Sequence, residues 1–218
     1  MLLDLFCGAG GCSVGYHRAG FDVVGVDLYP QPNYPFEFWQ ADALDVLAMG
    51  GVGPWGVVDF DAIHASPPCQ AHSTLRHRTR GTYPDLVAQT RDRLAAAGVP
   101  YVIENVVGAP LLNPIMLCGT SFGLGTADRE LRRHRLFETN TPIMALGCQH
   151  SRPVVGVYGT GGGGQMTRGY KALPGEDAEA MGIDWMTRAE LAQAIPPAYT
   201  EHIGGYLMAA LAHRAEAA

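Results

Sequence analysis

Several reactive groups in this chain fall where apolar runs end, the place from which a side chain can reach a ligand. Cys69 lies in Ser66-Pro67-Pro68-Cys69-Gln70, directly after the apolar run 60–65. Two prolines stiffen that turn and hold the thiol in one place. Polar Gln70 and His72 beside it argue against a core cysteine, so Cys69 is placed for nucleophilic attack. Glu104-Asn105 closes the run 101–106, one run further along, which would bring Glu104 to the same sheet edge as Cys69. An acid within an apolar strand is costly without a partner, which marks Glu104 as a group with a task. In Arg132-Arg133-His134-Arg135, alternation along an extended segment puts Arg133 and Arg135 on one face. The stretch from Arg76 through Arg78 to Arg80 follows Cys69 and suits phosphate contacts.

A second constellation suits a nucleoside. Asp4-Leu5-Phe6-Cys7-Gly8-Ala9-Gly10-Gly11 reads as a strand running into a glycine turn and then a helix. Glycines there let the backbone approach a ligand, and the helix start offers unpaired N–H donors. Asp27 ends the next run, placed to accept from ribose hydroxyls, and Asp42 follows a third run where it could meet an adenine edge. The glycine spacing departs from the dinucleotide fingerprint, which favours a ligand without a pyrophosphate.

Short apolar runs at 2–6, 22–26, 60–65 and 101–106 read as buried strands, and 12–19, 84–97 and 196–212 read as helices. That alternation predicts an α/β fold with a mostly parallel sheet. The 218 residues suffice for one full domain and a small appendage. Charged residues make up 17% and apolar ones 47%, which excludes wholesale disorder, and no apolar run is long enough to span a membrane. The net charge of −6 argues against a protein that coats nucleic acid by bulk charge but leaves room for a local basic groove. The five scattered cysteines, with no basic leader ahead of the first apolar run, predict free thiols in the cytoplasm.

In order, these residues resemble the DNA cytosine-5 methyltransferase family, and the match runs over nearly the whole chain. Residues 4–15 resemble its cofactor loop, Ser66–Gln70 its Pro-Cys-Gln motif, Glu104-Asn105-Val106 its Glu-Asn-Val motif, and Arg133 with Arg135 its paired arginines. Ala194-Ile195-Pro196-Pro197 resembles its C-terminal motif. The resemblance implies a Rossmann-like fold that binds S-adenosylmethionine, releases S-adenosylhomocysteine, and acts on double-stranded DNA. It implies catalytic roles for Cys69, Glu104, Asn105, Arg133 and Arg135, with Arg133 helping to place the Cys69 loop. Phe6, Gly8, Gly10, Gly11, Asp27, Leu28, Asp42, Pro68 and Gln193 would hold the cofactor. Gln70, Ser73, Arg76, Arg78 and Arg80 would contact DNA. Leu131 stands where the family usually has Gln, and Ala192-Gln193 where it has Gly-Asn. An RNA cytosine-5 methyltransferase and a catalytically silent relative are the alternatives.

Residues 139–188 carry a glycine run and little periodicity, and read as a small irregular target-recognition insert in a catalytic domain of 1–138 plus 189–218. Arg152, Gln165, Arg168 and Lys171 are its candidate DNA contacts. An insert this small implies a short site, about two to four base pairs. Cys118 with Cys148-x-His150 shows three ligands in no common zinc spacing, so no metal is expected. His64 reads as a hydrogen-bonded core histidine rather than a base. The expected oligomeric state is a monomer.

Overall fold

The computed structural model describes residues 1–69, 72, 84–159 and 163–216. The central sheet has the order β3-β2-β1-β6-β7-β9-β8. Its strands are β1 (Leu2–Leu5), β2 (Val23–Asp27), β3 (Glu37–Gln40), β6 (Ala62–Ala65), β7 (Tyr101–Asn105), β8 (Ile115–Leu117) and β9 (Arg135–Thr139). A small hairpin, β4 (Gly51–Val52) with β5 (Trp55–Gly56), lies outside it. The five strands from β3 to β7 are parallel, and β9 and β8 add an antiparallel edge. The expected α/β fold with a mostly parallel sheet is therefore the one found. The chain winds outward from β1 to β3, then returns to β6 on the other side of β1. That reversal opens a crevice at the carboxyl ends of β1 and β6, where open α/β sheets bind ligands.

Central parallel strands are covered on both faces and so read as continuous apolar runs. Besides Glu104 and Asn105 at the end of β7, two polar residues break that rule, Asp4 in β1 and His64 in β6, which face each other in register and are fully buried. Helix α1 (Gly11–Arg18) supplies their partners one turn apart: the Ser13 hydroxyl donates to Asp4, and the Tyr16 hydroxyl lies 2.9 Å from His64 Nδ1. The remaining ring nitrogen of His64 lies 2.9 Å from Ser66 Oγ. His64 is thus the bonded core histidine expected from the sequence.

Helices α2 (Ala43–Met49) and α3 (Val87–Ala97) cover one face. The Asp42 carboxylate caps α2, accepting from Leu44 N and Asp45 N through Oδ1. Helix α3 starts three residues later than expected. Asp85, not Pro84, sets its start, by accepting from Val87 N at 3.1 Å. On the other face the long helix α6 (Pro197–Glu216) lies against α1. Close approach requires glycine there. A Cβ on Gly15 would stand on Thr200 Oγ1 and the Pro197 carbonyl, and one on Gly204 would meet Ala19.

The stretch 139–188 is less irregular than its sequence suggests. It holds the short helix α4 (Glu176–Met181), and α5 (Arg188–Gln193) follows it. Val155, Val157, Ala172, Ala180, Met181 and Ile183 pack there with Leu131 and Leu191 in a third core of their own. A six-residue helix is too short to show periodicity, so the sequence hid it. Buried Glu130 ties the start of this unit down by accepting from Arg132 Nε and from the N–H groups of Ser151 and Arg152. Among the described residues no helix is long and apolar enough to cross a membrane.

Candidate active site

Cys69 follows β6 and Glu104 lies in β7, and these strands are adjacent and parallel. Both residues therefore arrive at one sheet edge. β9 runs antiparallel to β7 with Asn105 opposite Leu136, so its first residue, Arg135, comes to the same edge. There Arg135 Nε sits 3.2 Å from Glu104 Oε1, with the carboxylate nearly closed to solvent. Asn105 is fully buried and donates to the Pro67 carbonyl at 3.0 Å, fastening the proline turn that carries Cys69 to the strand that carries Glu104.

Burial pushes the Glu104 carboxyl above the usual range, against the pull of Arg135, a hydrogen bond with Ser66 and the charge of Arg133. The Cys69 thiol is also raised, by burial first and by the Glu104 charge second, while Arg135 and Arg133 lower it. Glu104 thus opposes the ionisation of Cys69, and the arginines favour the charged form of both.

Arg133 also has a structural task. Among the described residues its guanidinium donates to the Val157 carbonyl at 3.2 Å and the Ala192 carbonyl at 2.8 Å. Its own carbonyl accepts from Tyr199 Oη at 2.7 Å. Arg133 thereby links Val157, the end of α5 and α6, and its charge also lowers the Cys69 thiol. Burial and the neighbouring Arg135 charge bring its pKa down to about 9.

Residues expected to hold a cofactor lie at the crevice. Phe6, Gly8 and Gly10 all have positive φ, at 58°, 51° and 85°, which winds the chain tightly from β1 into α1. Gly8 N donates to Asp27 Oδ2 at 3.1 Å, and Tyr29 N donates to Asp27 Oδ1 at 3.0 Å, so Asp27 fixes both loops. A Cβ on Gly8 would meet nothing within 4 Å, which leaves room over the turn for a ligand. Leu28, 52% exposed beside Asp27, presents an apolar wall that a purine could cover. A Cβ on Gly11 would strike the Ile195 carbonyl, so the Ala-Ile-Pro-Pro segment packs directly on the glycine turn. Trp185 Nε1 donates to the Ala9 carbonyl at 2.9 Å from the insert side. These features fit a nucleoside-bearing cofactor. Gln193 is exposed at the end of α5, Pro68 is half-buried ahead of Cys69, and Asp42 is engaged in capping.

Four residues at this crevice stand outside the expected set. Asp4, Ser13, Tyr34 and Trp185 support the glycine turn, with Tyr34 Oη 2.9 Å from Ser13 Oγ and its ring packed over Gly10 and Gly25. Asp4 Oδ1 has no partner, and burial raises the Asp4 pKa to about 7. The only sequence signal was an acid within the apolar run of β1.

Gln70, Ser73, Arg76, Arg78 and Arg80 lie outside the described residues. Arg152 and Arg168 line a cleft of about 880 Å³ together with Arg129, Arg132 and His150. Gln165 is exposed in a turn two residues before Thr167 and does not line that cleft. Cys118, Cys148 and His150, three possible ligands in the sequence, do come together. The fold adds a fourth ligand, and the donor atoms of Cys118, His134, Cys148 and His150 all lie within 4.8 Å of one another.

Sheet order, glycine turn and strand-end acids together define the Rossmann-like fold of S-adenosylmethionine-dependent methyltransferases. Known proteins agree. Over 172 residues the chain is 27% identical to the Type II methyltransferase M.AgeI of Thalassovita gelatinovora, a match covering 69% of this chain. It spans only 36% of that relative. Among solved structures, a chain described as a DNA modification methyltransferase encoded within an E. coli prophage aligns with TM-score 0.63 at 16% identity, covering 96% of this chain and 99% of that one. A Spodoptera frugiperda DNMT2 variant aligns with TM-score 0.57 at 14% identity, over 95% and 99%. The S. pombe Dnmt2 methyltransferase gives TM-score 0.57 at 12% identity, over 96% and 98%. No family profile matches the chain. The fold is thus shared with methyltransferases of known structure, and the sequence is similar to that of a Type II methyltransferase.

Proposed function

We propose that this chain is an S-adenosylmethionine-dependent methyltransferase acting on carbon 5 of cytosine in duplex DNA. The observation that carries this reading is the buried Glu104–Arg135 pair, 3.2 Å apart, at the strand edge from which the Cys69 turn projects. A carboxyl, a guanidinium and a thiol at one edge match the needs of a pyrimidine activated by covalent addition.

Carbon 5 of cytosine is a poor nucleophile. Addition of the Cys69 thiolate to carbon 6 makes it enamine-like. Glu104 hydrogen-bonds the exocyclic amine and ring N3, and Arg135 binds O2, so that charge developing in the ring is met by fixed partners. A Glu104 carboxyl held above its ordinary pKa favours the protonated form that can donate to N3. Bound S-adenosylmethionine supplies the methyl group. Loss of the carbon-5 proton and elimination of the Cys69 thiolate then release the product. Asn105 keeps the thiol turn and the Glu104 strand in register. Phe6, Gly8, Gly10, Gly11, Asp27 and Leu28 hold the cofactor, with Asp42, Pro68 and Gln193 at its margin. The reacting atoms are inaccessible in a stacked duplex, so the target base flips into the site.

Residues 139–188 serve as the reader of a short DNA site, and the arginine-lined cleft beside them takes backbone phosphates. The test is base-resolution conversion sequencing of unmethylated duplex incubated with the protein and S-adenosylmethionine. Methylcytosine in one short context, absent with Cys69→Ser, is the expected result. Methylation of transfer RNA but not of duplex DNA would move the reading to the RNA branch. Methylation by Cys69→Ser would sink the covalent mechanism.

A further inference from the structure

We propose that Cys118, His134, Cys148 and His150 form a structural zinc site that clips the segment 140–153 onto the strand that presents Arg135. The site uses two pairs of ligands with separate geometric origins. β8 and β9 are antiparallel, with Leu117 opposite Arg135. The next pair beyond the ladder is Cys118 and His134, which therefore stand side by side. Cys148 and His150 are two apart in a segment with no regular secondary structure, a spacing that puts both side chains on one face of extended chain.

The separations fit tetrahedral zinc. With Zn–S near 2.3 Å and Zn–N near 2.05 Å, a sulfur and a nitrogen on one ion lie about 3.6 Å apart. Here Cys118 Sγ is 3.4 Å from His150 Nε2, and Cys148 Sγ is 3.7 Å from His134 Nε2. Two thiolates and two imidazoles leave no open coordination position, the mark of a structural rather than a catalytic ion. Soft sulfur with imidazole also selects zinc over magnesium or calcium.

The surroundings show what the ion would do. Between 140 and 153 only Thr141 is buried, so this segment has almost no core to hold it. A metal can supply that missing stabilisation. His134 lies between Arg133 and Arg135 and points to the opposite face from them. Fixing His134 therefore fixes the start of β9, where Arg135 meets Glu104. His150 and Arg132 also border the basic cleft, so the same clip shapes the wall of that cleft.

The test is zinc content, which is independent of any methyl transfer, so its failure would leave the catalytic reading standing. The full chain is expressed with zinc in the medium, freed of any purification tag and analysed by elemental mass spectrometry. About one zinc per chain is expected, with retention in Cys148→Ser and His150→Ala reduced at least tenfold after dialysis against a chelator. Cys69→Ser should keep its zinc. Cobalt added to the chelated protein should give the visible bands of a tetrahedral site and a thiolate charge-transfer band, the latter halved in Cys148→Ser. Should a variant fail to fold, the wild-type stoichiometry and cobalt spectrum still decide. Substoichiometric zinc with no tetrahedral cobalt spectrum would overturn the proposal, as would a Cys118–Cys148 disulfide in protein purified under reducing conditions.

Discussion

Glu104 makes Cys69 harder to ionise, and that coupling can be read directly. The rate of Cys69 alkylation against pH, followed on its peptide by mass spectrometry, should show an apparent pKa above that of an ordinary thiol. Glu104→Gln removes a nearby negative charge and should lower that value. Arg135→Ala removes a positive one and should raise it. Shifts of the opposite sign would separate Cys69 from this pair. Asp4 offers a second residue-scale prediction. Its pKa is 3.8 in the unfolded chain and about 7 when folded, so the folded state favours its protonated form. The stability it contributes is complete below pH 3.8 and is lost as pH rises to about 7. His64 works in the other direction. It is held neutral with a pKa of about 3, so its contribution is present above 6.5 and falls away as pH drops through that range. The two partly cancel in the wild type. Asp4→Asn should expose the difference: its stability relative to wild type should climb by on the order of a few kcal/mol between pH 4 and 7, then stay flat. Urea unfolding across that range would measure it, and a flat difference throughout would dissociate Asp4 from the effect.

Elements place these residues, and two of their joints are open to test. Glu138 in β9 is almost fully buried and accepts from Arg91 of α3 at 2.6 and 2.7 Å and from Leu112 N at 2.7 Å. Arg91→Met would leave that carboxylate buried without its charge partner, at a cost of about 3–5 kcal/mol in urea unfolding. Arg135 opens the same strand, so cofactor affinity should change far less than catalysis. The α1–α6 joint is steric. Gly15→Ala would drive a methyl group into Thr200 and Pro197 and should cost about 1–3 kcal/mol or more, read as a fall in the thermal midpoint. Gly205→Ala on α6, where a Cβ meets nothing within 4 Å, is the control that should leave the midpoint nearly unchanged. Much of this frame was legible in the sequence. The apolar runs that end in Asp27, Cys69 and Glu104 announce both the parallel strands and the edge at which ligands sit. β9 was not legible, because it begins inside a charged run at Arg135 and is held by antiparallel pairing that no local pattern records. The role of Arg133 was hidden for the same reason, since its partners at Val157 and Ala192 are distant in sequence. His134 was overlooked as a ligand because its neighbour Cys118 is opposite it across a strand pair, not at a recognisable spacing.

At the scale of the molecule, an acidic chain of net charge −6 carries an arginine-lined cleft on its insert side. On the proposed function the bulk charge would oppose nucleic acid and the cleft attract it, so duplex binding should be weak in the absence of the cleft and steeply salt-dependent in its presence. Arg168→Ala should reduce the slope of log affinity against log salt by about one and weaken binding uniformly across sequences. Fluorescence anisotropy over a salt series would show it, and an unchanged slope would remove Arg168 from the phosphate contacts. The exposed Arg168 holds a positive φ of 51°, so part of its effect could pass through the backbone, and Arg168→Gly would separate the two. If charge is what matters, the glycine variant should behave as the alanine one does.

The packing of α6 on α1 also sets an order of events in time. Thr200 donates to the Cys12 carbonyl across 188 positions of sequence, and Ile195 closes over Gly11. At about 5–20 residues per second, synthesis from the first glycines to that closing segment takes on the order of ten seconds or more. During that interval the glycine turn exists without its lid. A nascent chain halted before residue 195 should bind the nucleoside poorly, and one released just beyond α6 should acquire that affinity in a single step.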